Sequence, residues 1–191
     1  MYLQVYSIYR SRCVELIPAT LRCRSIDEES IEMLMYMLIY QFGEESSRIL
    51  DLIDVEKIKI CFSRKTKRVR AFLYGDRILA MVRASDFYIV PHIELGILLH
   101  KVLSFPKRRV VVANEMVDDI VKGNSIFAKH IMKADESIRP YDEVLVVDED
   151  DKLISVGRAL LDYETMITAT YGVAVQIREK LVNRNENEKE L

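Results

Sequence analysis

Tryptophan is absent from the 191 residues, and glycine (6), proline (4), histidine (3) and cysteine (3) are all scarce. Each scarcity closes a class. So little glycine and proline excludes collagen-like and low-complexity chains. Cys13, Cys23 and Cys61 include no CxxC pair, and His92, His100 and His130 do not cluster with them. No four-ligand zinc set can be assembled from such spacing, so free thiols and no metal are expected. The longest apolar run, Met33–Tyr40, falls far short of the roughly 20 residues that cross a bilayer. No basic start leads into an apolar stretch and a cleavage site, so no signal peptide is expected and the expected location is the cytoplasm. The chain also lacks a GxxxxGK phosphate loop and any nucleophile–base pair at a recognisable spacing. It is therefore not expected to be an enzyme, and no cofactor is expected.

Half of the residues are hydrophobic and 30% are charged, which suits one large globular domain or two small ones. The net charge of −2 says little, but its distribution is uneven. Lys57–Arg70 reads KIKICFSRKTKRVR, with seven basic residues and no acid. Arg77, Arg83, Lys101, Lys107, Arg108 and Arg109 follow, whereas acids concentrate in 27–32, 44–56 and 142–151. Such polarity implies a basic face that attracts polyanions.

Residues 1–24 hold two apolar stretches, around Tyr2–Tyr9 and Val14–Leu21, read as strands or as a strand and a loop. Ser25 and Glu28 fit a capping box, predicting a helix to about Phe42 that stops at Gly43. Its apolar residues cover most of its circumference, which implies a central position. A shorter helix follows over 44–52. Alternation then predicts strands at Lys57–Phe62, Val69–Tyr74 and Arg77–Val82, with a turn at Gly75-Asp76. Pro91–Leu103 reads as a helix. After Arg109 the pattern changes to short strands, at Arg109–Ala113, Ser125–Phe127, Val144–Asp148, Lys152–Ala159 and Val173–Arg178. They surround one small helix that Asn114 caps and Gly123 closes. The fold class is therefore an α+β N-terminal domain over 1–106, followed over 107–180 by a small mixed β-barrel, with a polar tail at 181–191.

The segments RVVV (Arg109–Val112), KGNSIFAKHI (Lys122–Ile131), ADESIRPYDEVLVVDEDDKLISVGRAL (Ala134–Leu160) and GVAVQIR (Gly172–Arg178) occur in an order that resembles a PUA domain. YQFG (Tyr40–Gly43) and SRKTKRVRAFLYGDRILAMVRASD (Ser63–Asp86) resemble the domain before PUA in archaeal tRNA-guanine transglycosylase. This chain departs from the pattern at Thr66-Lys67 and at Phe87, where a glycine is expected, and at Tyr171, where a basic residue is common. The resemblance implies a barrel of the PUA type that grips structured RNA, in tRNA the acceptor region.

The expected RNA contacts are Gly123, whose backbone can approach a phosphate closely, Asn124 and Ser125 as donors, and Lys129, His130 and Lys133 as adjacent charges. Gly157 and Arg158 lie, by the resemblance, near the same side; the alternative is a glycine that accommodates barrel curvature beside a solvated arginine. Phe127 is expected in the core. Arg64, Lys65, Lys67 and Arg68 form a basic loop able to extend the surface through salt-sensitive phosphate contacts. The expected partners are RNA, foremost tRNA, and a tRNA-modifying enzyme or a ribosomal component, with no membrane. Two alternatives stand beside tRNA binding: an rRNA-binding ribosome-biogenesis or translation factor, and a protein-interaction module without RNA affinity.

Overall fold

The computed structural model describes residues 20–181. The apolar stretches before Thr20, with Cys13, and the polar tail after Leu181 lie outside the described residues. The first domain is a five-stranded antiparallel sheet in the order β1-β2-β3-β4-β5, formed by Leu21–Ser25, Ile58–Ser63, Val69–Tyr74, Arg77–Val82 and Ile89–Pro91. Helices α1 (Glu28–Phe42), α2 (Ile49–Leu52) and α3 (Ile93–Val102) complete it. Its core joins Leu34, Leu38 and Phe42 of α1 to Ile58, Ile60, Phe72 and Leu79 of the sheet and Leu95 and Leu99 of α3.

The second unit is a six-stranded mixed sheet, β7-β11-β10-β9-β6-β8. Its strands are β6 (Arg109–Val112), β7 (Ile126–Phe127), β8 (Ile131–Ala134), β9 (Glu143–Val147), β10 (Leu153–Ala159) and β11 (Val173–Lys180). The outermost strands, β7 and β8, are joined by one short 3-10 turn, Ala128–His130, which nearly closes the sheet into a barrel. Helices α4 (Val117–Val121) and α5 (Tyr163–Thr168) flank it. This is the α+β domain followed by a small mixed barrel that the sequence implies.

Several local expectations change. The N-cap of α1 is Asp27, whose carboxylate accepts from the Ser30 N–H at 3.1 Å, and not Ser25, which belongs to β1. The Ser30 contact and the Arg24 guanidinium hold the Asp27 carboxyl at about 2. Asn114 does not cap its helix; its side-chain oxygen accepts from the Glu149 N–H at 3.4 Å. Cys23 and Cys61 are not free thiols. They face each other across β1 and β2 and form a disulfide. Strands β5 and β8 and helix α5 carry no clear period at their lengths and were not foreseen. The glycine-like positions hold: Lys67 (φ 60°) and Phe87 (φ 62°) both adopt the left-handed conformation that glycine tolerates best.

The domains share packing. Leu145 of β9 and Val156 of β10 belong to the core of the first domain. Gly96 of α3 makes this approach possible, since a Cβ there would lie 2.3 Å from a methyl of Val156. Arg109 is 2% exposed. It donates to the carbonyls of His100 (2.9 Å), Leu103 (3.1 Å) and Lys107 (3.0 Å), and pairs with Asp151 at 2.7 Å. At the other end of α3, Glu179 of β11 accepts the Ile93 N–H at 2.7 Å. Burial alone would raise Glu179, but His92 and that N–H outweigh it and keep the carboxyl below its ordinary range.

The sheet edge at β5 is closed by a side chain. The Gln41 amide donates to the Ile89 carbonyl at 2.7 Å and accepts from the Ile89 N–H at 2.8 Å. Among the described residues, no helix is long and apolar enough to cross a membrane, and no group of three or more His, Cys, Asp or Glu could hold a metal ion.

Two stability outcomes follow. Arg109→Met, which removes the Asp151 ion pair and the donor to four carbonyls, should cost on the order of 3 kcal/mol in chemical denaturation. Cys23→Ser opens a cross-link between residues 38 apart in sequence and should cost about 3–4 kcal/mol. A reductant should destabilise the parent protein and leave this variant unchanged.

Candidate nucleic-acid interface

The expected RNA-contacting residues fall into two groups on different domains. The first forms at one end of the barrel. Helix α4 ends at Val121 with Lys122 as its C-cap, and Gly123 (φ +96°) turns the chain, with its N–H bonded to the Ile120 carbonyl at 2.8 Å. No atom lies within 4 Å of where a Gly123 Cβ would stand. The glycine therefore serves the turn and leaves the backbone open to solvent. Asn124 is exposed and Ser125 half-buried. Strand β7 follows and pairs with β11, Phe127 opposite Val173.

The Ala128 N–H donates to the Gly172 carbonyl at 3.0 Å. That bond sets the Tyr171-Gly172 turn against the Ala128–His130 segment. Gly172 (φ +98°) also has open space at its Cβ position. Lys129 is exposed here and His130 half-buried. The result is a surface of two glycine turns, one exposed lysine and two exposed aromatic rings, Tyr171 at 84% and Phe127 at 44%.

Phe127 thus corrects its expected core position. Its neighbour Ile126 is fully buried, and strand alternation turns the next side chain outward. A two-residue strand is too short to show a period, so no register was available by which to choose the inward residue.

Lys133 departs from this group. It stands on β8 opposite Val111, and its ammonium lies 4.9 Å from the ring of Phe105 in the interdomain linker. Gly157 is buried in β10 at a register shift against β11. A Cβ there would lie 2.7 Å from a Val175 methyl and 2.9 Å from the Gln176 carbonyl. The strand backbones approach too closely there for a side chain. Arg158 is half-buried, and its guanidinium lies 4.8 Å over the Tyr141 ring.

Beside it, the side chain of Glu143 is fully buried and accepts two bonds from Arg178, at 2.8 and 2.9 Å. Burial raises the Glu143 carboxyl above its ordinary range, against the pull of Arg178. Arg178 and Arg83 line a groove of about 620 Å³ where β4 and β5 meet β11.

The second group is the basic loop. Arg64, Lys65, Lys67 and Arg68 are all exposed in the β2–β3 turn. Arg64 is anchored through Nε to the Leu21 carbonyl at 3.1 Å, and Arg22, Arg24, Arg64 and Lys67 line a shallow pocket of about 330 Å³. This loop belongs to the β1–β2 side of the sheet, whereas the barrel meets the β4–β5 side. Three strand spacings, about 14 Å, separate β2 from β5. Arg108 and Arg109 are not part of a basic face: Arg108 pairs with Asp142 at 2.5 Å, and Arg109 is buried.

Comparison with known proteins agrees with this geometry. Residues 108–181 match the PUA domain, and residues 32–106 match the patch-forming domain C2 of tRNA-guanine transglycosylase. The chain is 43% identical over 151 residues to tRNA-guanine(15) transglycosylase of Pyrococcus abyssi, covering 79% of this chain and 25% of that protein. With the Methanocaldococcus jannaschii enzyme it shares 40% over 146 residues, covering 74% and 21%. The chain thus spans about a quarter of the length of these curated relatives. A hypothetical protein from Pyrococcus horikoshii has the same fold at TM-score 0.62 and 24% identity, covering 87% of this chain and 99% of that one. So does a conserved PUA domain protein from Thermoplasma acidophilum, at TM-score 0.58, 18% identity and the same coverage.

The two glycines should separate structure from recognition. Gly157→Ala should lower stability by about 1–3 kcal/mol through overpacking, read as a lower thermal midpoint. Gly123→Asn, at a left-handed position with open space, should leave that midpoint nearly unchanged.

Proposed function

We propose, for a chain that is a PUA-domain protein with a transglycosylase-type C2 domain ahead of its PUA domain, that it binds tRNA and presents it to a tRNA-modifying enzyme. One observation carries the reading. The likeness to archaeal tRNA-guanine(15) transglycosylases runs through both domains without a break, at 43% identity over 151 residues. In this reading the chain positions RNA and the chemistry belongs to the catalytic part of the enzyme.

The geometry supports the assignment. Shape and phosphate position are what a protein can read on A-form RNA. Gly123 and Gly172 offer backbone without side chains, and Lys129 supplies charge beside them. Phe127 and Tyr171 offer aromatic faces on which unpaired bases stack. The loop 64–68 adds a second, purely electrostatic contact. Because the domains are packed as one unit through α3, the two contacts keep a fixed separation. An elongated, folded RNA satisfies both together.

Fluorescence anisotropy of labelled tRNA across a salt series tests this. Lys129→Glu should weaken binding at least tenfold. The Lys65/Lys67/Arg68→Ala variant should lower the slope of log K against log salt by about 2, since each lost phosphate contact removes about 0.7–0.9. Loss of the tRNA signal to an rRNA fragment at equal concentration would move the assignment to ribosomal RNA. No binding at low salt would overturn it.

A further inference from the structure

Helix α1 was expected to be central because it is apolar on most sides; instead it lies at the surface with one apolar side uncovered. Leu34, Leu38, Gln41 and Phe42 face the core. Met33, Tyr36, Met37 and Tyr40 form a second stripe, in which Met33 and Met37 are half-buried against the core while Tyr36 is 62% and Tyr40 78% exposed. Their spacing of three and four residues keeps them on one side of the helix.

The β4–β5 turn extends this stripe. Phe87 is 51% exposed, and Tyr88 meets Tyr40 edge to face, with ring centroids 6.1 Å apart. Together they line a groove of about 520 Å³. Phe87 holds φ +62°, a conformation that disfavours any side chain with a Cβ. A glycine would relieve the backbone and remove an exposed ring. The chain carries phenylalanine there instead, at a double disadvantage that folding does not explain.

The rim of the groove carries Glu29, Glu32 and Asp86, the last paired with Arg83 at 3.4 Å. Those carboxylates repel phosphate, so this face is unsuited to RNA. A second copy of the chain across a two-fold axis would set the acidic rims against each other. The complementary occupant is a protein surface with an apolar centre and a lysine or arginine rim. The chain covers 25% of the Pyrococcus abyssi relative. The remainder of such an enzyme, which this chain does not span, supplies a protein body of the kind that the groove would take.

We propose that the Met33–Tyr36–Tyr40–Phe87 face docks the catalytic domain of the tRNA-modifying enzyme, which rests on the functional reading above. The acid-rimmed groove then holds protein, and the barrel end and the basic loop hold RNA.

The test places the photo-cross-linker benzoylphenylalanine at Tyr36 in the full chain, in cells of the source organism, and identifies cross-linked peptides by mass spectrometry. The expected product is a peptide from a tRNA-guanine transglycosylase catalytic domain that is apolar and flanked by Lys or Arg. Phe87→Gly and Tyr40→Ser should each reduce its yield at least tenfold. Phe87→Gly should keep or raise the thermal midpoint, which separates docking from folding, and both variants should bind tRNA as the parent does. A cross-link to RNA, to a second copy of the chain, or to no macromolecule would overturn the proposal, as would an undiminished yield from Phe87→Gly. Loss of tRNA binding by the parent protein would instead overturn the functional reading.

Discussion

Helix α3 belongs by sequence to the first domain, yet both of its ends are satisfied by charges from the second. At its N-terminus, Glu179 accepts the Ile93 N–H; at its C-terminus, Arg109 donates to the His100 and Leu103 carbonyls. These are the backbone groups that a helix leaves without internal partners, and each charge has the sign that the helix dipole favours. Between them, Gly96 lets the helix sink against Val156. The hairpin of Asp148–Asp151 closes the joint, with Asp151 bonded to Arg109 and its carbonyl 2.8 Å from the His100 ring. The domains are therefore one mechanical body, and the joint fixes how the candidate surfaces of the two domains stand to each other.

This joint also explains where the charge pattern misled. Read along the chain, Lys107-Arg108-Arg109 continues the basic run from Lys57. In space two of those arginines are absorbed into the interdomain contact, paired with Asp142 and Asp151 of the acidic segment that seemed a separate feature. Charge runs locate charge but not its partner. The basic loop of 64–68 stayed exposed because its turn is short and, among the described residues, no acidic segment packs on it.

The regular parts of the fold were legible. Strands β3 and β4 lie where alternation put them, and α1 ends at Gly43, which adopts φ +91°. The positions where glycine was expected and not found, Lys67 and Phe87, are left-handed as turn chemistry requires. The remainder was hidden for physical reasons. Strands of two to four residues, such as β5, β7 and β8, are too short for a period. The exposure of Phe127 depends on a strand pairing far along the chain. The Cys23–Cys61 bond depends on the register of β1 against β2, which spacing alone does not reveal. At the candidate interface the Gly123 turn and Lys129 were readable, whereas the approach of the Tyr171-Gly172 turn to Ala128 was not.

Gln41 shows how the first domain protects itself. Strand β5 is the last in its sheet, and such a strand offers unpaired N–H and C=O groups to any passing extended chain. The Gln41 amide occupies both groups of Ile89 from within the molecule, as a peptide unit of a further strand would. The β5 edge is in effect sealed by a side chain rather than by a longer fold. A change as small as glutamine to leucine there would keep the volume and leave both backbone groups of Ile89 without a partner. The consequence is colloidal as well as thermodynamic: one amide keeps this edge from offering its backbone to a neighbour.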